Sequence, residues 1–228
     1  KFLVRFYLLV SFFGIFLVLM LTLSHPSTGW EFSWRRYVVG LAFASISILG
    51  AIASLFPKRC SVLEHSGKPQ KRAKQNVRAN LKGHHPNCEY FSSHTINWDG
   101  FTLCAGCTGL LLGAILSIIG SVWYFFLQFG IGDPFLCLVL GVLSLILGFT
   151  QSAFKGFARS IMNVLFVVGA FLILAGVDNL TQNFFIDLFV LGMMLFWIVT
   201  RIAISQLDHR LICERCHSLK KVCTLEEK

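Results

Sequence analysis

Six apolar runs, each near or above the length needed to cross about 30 Å of hydrocarbon, constrain this chain more than any other feature. They are Phe6–Leu23, Tyr37–Phe56, Cys107–Phe129, Phe135–Thr150, Ile161–Val177 and Phe184–Ser205. The fourth and fifth are the shortest. They are either steep spans or spans that extend into flanking residues such as Gln151 and Asp178. Only 14% of the residues are charged, against about 25% in soluble domains. The expected fold is therefore all-α: a polytopic membrane bundle of about six helices, with the lipid bilayer as its first partner. The first run is too long for a signal-peptide apolar region and reads as a retained helix. Pro134 is placed to open the fourth helix and Asp133 to cap it.

Orientation follows from the loops. With an even number of spans both termini share a side. Of 20 lysines and arginines, only Arg35 and Arg36 fall on the side opposite the termini. The positive-inside rule then places both termini in the cytoplasm of a multi-pass cell-membrane protein. The same bias accounts for the high net charge, so no nucleic-acid partner is expected. The chain divides into helices one and two (1–57), a basic linker (58–82), a Cys/His-rich loop (83–107), helices three to six (107–205) and a Cys-rich cytoplasmic tail (206–228). The linker carries eight cations against Glu64 alone. It reads as a topology-setting connector, or as a segment that grips anionic lipid headgroups.

In a reducing cytoplasm, clustered thiols point to metal or redox chemistry before structural disulfides. Cys104-Ala-Gly-Cys107 has the spacing with which two thiolates hold one ion. His84, His85, Cys88 and His94 lie within the preceding stretch. Zinc takes four tetrahedral Cys or His ligands. The favoured set is Cys88, Cys104, Cys107 and one of His84 or His85, a zinc staple ordering the inner-face loop. The tail offers a second group. His209, Cys213, Cys216 and His217 fall on one face if the tail is helical; otherwise Cys213-Glu-Arg-Cys216 is a second knuckle. Cys213 and Cys216 either complete a shared four-thiolate site with Cys104 and Cys107 or hold a separate ion with Cys223 and a histidine. The Cys213-x-x-Cys216-His217 pattern of c-type haem attachment belongs to the other side of the membrane.

The third run opens with the step Gly109–Gly113, which permits close helix packing within the chain or in a homo-oligomer. Asn163, Asp187 and Arg201 are polar residues within spans. Arg201 is close enough to the inner end to snorkel, and Asp187 faces either a cavity or the interface. No motif names an enzyme class.

The run FTLCAGCTGLLLGA, preceded by HHPNC and FSSH, resembles an uncharacterised prokaryotic family of small polytopic membrane proteins. Their signature is C-A-R-C-T-G or C-A-G-C-T-G with an upstream Cys/His cluster. The resemblance covers Gly83–Gly113, with Gly106 where bacterial members carry Arg. It implies a membrane protein with a site at these residues and no particular activity. The expected role is a structural or interaction subunit carrying zinc, with protein partners. The alternatives are a membrane metalloenzyme acting on a lipid or lipid-linked substrate, and a membrane thiol oxidoreductase using Cys104 and Cys107.

Overall fold

The computed structural model describes residues 2–24, 34–56, 81–82, 94–98 and 101–218. It contains six helices long and apolar enough to cross a membrane. They are α1 (Phe2–Ser24), α2 (Arg35–Leu55), α3 (Ala105–Ser121), α4 (Pro134–Phe149), α5 (Gly156–Thr181) and α6 (Phe184–Ser218). The chain is a multi-pass helical bundle.

Local chemistry sets several ends. Asp133 caps α4: its Oδ1 accepts the N–H groups of Phe135 (2.8 Å) and Leu136 (3.2 Å), and Pro134 occupies the first turn. A 3₁₀ turn, Thr150–Ala153, prolongs α4. A π-helical segment, Val122–Phe126, prolongs α3 and buries Tyr124 and Phe125. The two short apolar runs therefore extend beyond their apolar residues. This is possible because Gln151 and Asp178 are buried inside the bundle, where neighbouring helices rather than lipid surround them. Helix α5 ends at Thr181, followed by Gln182 in the left-handed conformation (φ 50°).

Helix α5 lies at the centre, against α3, α4 and α6. Its approach to α4 is close enough that a Cβ on Gly141 would fall 2.9 Å from the carbonyl oxygen of Gly169. Its approach to α3 uses the Gly109–Gly113 step. A Cβ on Gly109 would meet the Ser160 carbonyl oxygen at 2.2 Å. The small-residue step therefore packs inside the chain. Helix α1 leans on α6, joined by a 2.9 Å hydrogen bond between the Ser11 and Thr200 hydroxyls. Its exposed face carries Leu9, Phe13 and Phe16, a surface suited to lipid.

Residues 83–107 were expected to form a loop. Their described part is a β-hairpin feeding directly into a helix. Strand β2 (Thr95–Trp98) pairs antiparallel with β3 (Phe101–Cys104), and β1 (Leu81–Lys82) lies parallel on the other edge of β3. The residues between β2 and β3 are Asp99-Gly100, a pair favoured in two-residue hairpin connections. Cys104 ends β3 and is the N-cap residue of α3.

Helix α6 continues through Cys213 and Cys216 to Ser218, so the backbone there is helical and not a knuckle. At 35 residues it is about 50 Å long. Its last turns therefore extend past any single crossing of about 30 Å.

Candidate functional site

Two clusters of buried polar groups occupy opposite ends of the bundle. The first is at the hairpin end. Cys104 is 4% exposed and Cys107 half-buried. Three residues apart across the start of a helix, their side chains share a face of its first turn. The Cys104 side chain does not cap the first-turn N–H groups. Its carbonyl oxygen accepts from the Thr108 hydroxyl at 3.0 Å.

Arg201 of α6 reaches this turn. A methyl group at Gly106 would lie 3.9 Å from Arg201 Nη2 and 4.0 Å from Cys104 Sγ. Arg201 does not snorkel as the sequence suggested. It is buried, and both Nε (2.9 Å) and Nη2 donate to Asn163 Oδ1. Asn163 in turn donates to the Arg159 carbonyl oxygen at 2.7 Å. The physical reason is that Asn163, on the neighbouring helix α5, supplies an acceptor inside the bundle, so the guanidinium need not reach water for one.

One turn nearer the hairpin, Arg159 of α5 links three elements. Its Nη1 is 2.9 Å from His94 Nε2 and 3.0 Å from Asp208 Oδ2, and His94 Nε2 is 3.4 Å from the same carboxylate oxygen. The rings of His94 and His209 lie 5.5 Å apart. His94 is therefore engaged in tying β2 to α5 and α6. A cavity of about 60 Å³ opens between these groups, lined on its polar side by Cys104, Cys107, Gln151, Arg159, Arg201 and His209.

Of the residues proposed from sequence as metal ligands, Cys104 and Cys107 are brought together here. His84, His85 and Cys88 lie outside the described residues. So do the side chains of Cys213 and Cys216, although their backbone is helical. Among the described residues, no three His, Cys, Asp or Glu side chains gather as a metal-binding group.

The second cluster lies at the other end, where the sequence placed Arg35 on the side opposite the termini and left Asp187 between a cavity and the interface. Arg35, Asp178, Asp187 and Tyr124 are each at most 1% exposed. Arg35 Nη1 pairs with Asp178 Oδ1 at 2.6 Å and with Asp187 Oδ2. The Tyr124 hydroxyl donates to Asp178 Oδ2 at 2.7 Å. Arg36 approaches the same oxygen at 3.5 Å and stands 5.6 Å over the Tyr124 ring. Two guanidiniums and two carboxylates thus balance where α2, α3, α5 and α6 meet. The available signal was the isolated position of Arg35 and Arg36 on the cation-poor side.

No protein-family model, curated protein or solved structure matches the chain.

Proposed function

We propose that this multi-pass protein carries a structural zinc ion at its hairpin end, facing the cytoplasm, and serves as a structural or interaction subunit. The ligands are Cys104, Cys107, Cys88 and one of His84 or His85. The observation that carries this reading is the register of β1. Lys82 pairs with Leu103, so both strands run the same way and leave the sheet at the same level. Cys104 follows Leu103 directly, and His84 follows Lys82 by two residues. At no more than about 3.6 Å per residue, His84 is tethered within about 7 Å of Lys82. Cys88 lies midway between Lys82 and His94 in sequence, tethered from both sides. A thiolate and imidazole set is the donor chemistry zinc prefers in closed structural sites. Arg201 beside Cys104 supplies positive charge that offsets the thiolates. The second cysteine pair, on helical backbone at Cys213 and Cys216, remains a candidate for a shared or separate ion.

The cytoplasmic orientation rests on the distribution of lysine and arginine. The test is elemental analysis of the purified full chain, wild type against Cys104→Ser/Cys107→Ser. About one equivalent of zinc is expected in the wild type and a loss in the variant. A wild type free of metal would overturn the proposal.

A further inference from the structure

We infer that the cavity at the hairpin end binds a phosphate group, carried by a lipid headgroup or free in solution. Three independent features converge on an anion. First, Arg201 is buried, and its hydrogen-bond partner among the described residues is the neutral amide oxygen of Asn163. Apart from the neighbouring thiols of Cys104 and Cys107, the guanidinium meets no carboxylate among the described residues, and its burial favours the approach of a further anion. Second, Gln151 is 1% exposed and lines the cavity, yet its Nε2 has no acceptor among the described residues. Third, the first turn of α3 borders the same space at Gly106 and Cys107, with no side-chain cap from Cys104. Uncapped helix N-termini present N–H groups and a positive dipole end to anions.

Arg159 and Arg201 both line the cavity and, among the described residues, no carboxylate does; Asp208 is held by Arg159 and is not part of the lining. The cavity of about 60 Å³ has room for roughly four waters, the scale of one phosphate group. Guanidinium forks and N–H donors are the groups that recognise phosphate. Gln151, Arg159 and Arg201 are not zinc ligands in the proposal above, but Cys104 and Cys107 line the same cavity, so zinc content is measured beside phosphate binding to tell the two failures apart.

The test uses full-length protein in a phosphate-free maltoside detergent. Calorimetric titration compares dihexanoyl phosphatidic acid, dihexanoylglycerol and inorganic phosphate, with zinc content measured on the same samples. Phosphatidic acid is expected to bind at least tenfold more tightly than dihexanoylglycerol. If inorganic phosphate binds and competes, free phosphate suffices; if phosphatidic acid alone binds, the headgroup on its lipid is the ligand. Gln151→Leu is expected to weaken binding about tenfold. Gln151→Glu, which sets a carboxylate against the anion, is expected to weaken it further. The inference is overturned if the wild type binds phosphatidic acid no better than dihexanoylglycerol and binds no inorganic phosphate. It is equally overturned if both folded variants keep wild-type affinity. The wild-type comparison decides the matter should either variant fail to fold.

Discussion

Arg35 and Asp178, 143 residues apart in sequence, meet through a 2.6 Å contact between groups that are both essentially removed from solvent. The pair closes the end of the bundle remote from the hairpin. It joins the start of α2 to the last turn of α5, with Asp187 bringing in α6 and Tyr124 the π-helical end of α3. Removing Arg35 leaves two buried carboxylates with Arg36 as their one guanidinium among the described residues. Arg35→Leu is expected to destabilise the fold by about 3–5 kcal/mol. The triple variant Arg35→Leu/Asp178→Asn/Asp187→Asn should recover part of that loss. Thermal unfolding in detergent, followed by circular dichroism, makes the comparison. Recovery of nothing by the triple variant would argue against an ionic origin.

The Asn163–Arg201 contact predicts a smaller effect of the same kind. Asn163→Leu deprives Arg201 of its hydrogen-bonded acceptor. The expected cost is about 1–3 kcal/mol. Asn163→Asp keeps the acceptor and adds a counter-charge but loses the amide donor to the Arg159 carbonyl oxygen, so it should cost less than Asn163→Leu. Unfolding midpoints of the two variants in one detergent check the order.

Helix approach at Gly109 sets a steric prediction. An added Cβ would lie 2.2 Å from the Ser160 carbonyl oxygen, and backbone cannot swing aside as a long side chain can. Gly109→Ala should cost about 1–3 kcal/mol or more. Gly50→Ala is the control, since a Cβ there has nothing within 4 Å. It should be neutral or slightly stabilising, by up to about 1 kcal/mol.

Orientation is testable without purification. A single cysteine introduced between residues 68 and 82, in a background whose other cysteines are serine, should resist an impermeant thiol reagent on intact cells. It should react once the membrane is opened. Labelling of intact cells would reverse the topology.

Much of the bundle was legible in sequence because a membrane span is written locally, in length and apolarity. The Asp133 cap and the Pro134 start were legible for the same reason, each being decided within a few residues. The packing of Gly109 and Gly113 was readable as a close contact, but its partner α5 was not. The two polar clusters were hidden because their bonds are long-range. Nothing near Arg35 in the sequence announces Asp178 or Asp187, and nothing near Arg201 announces Asn163 as its acceptor. Arg201 was read as snorkelling because that is what a lone arginine near a span end does when no partner is in view. The hairpin was obscured by its own chemistry. Four-residue strands among histidines and cysteines carry little alternation, and Asp99-Gly100 was the one strong local signal.

Whether Cys104 and Cys107 act as thiolate ligands of one ion, with Cys88 as a third, is decided by replacing the metal with cobalt(II) and measuring thiolate-to-cobalt charge-transfer absorption in the near ultraviolet. A strong band is expected in the wild type, a weaker one in Cys88→Ser and none in Cys104→Ser/Cys107→Ser. A wild-type protein that takes up no cobalt, or a band that persists in the double variant, would contradict that ligand set.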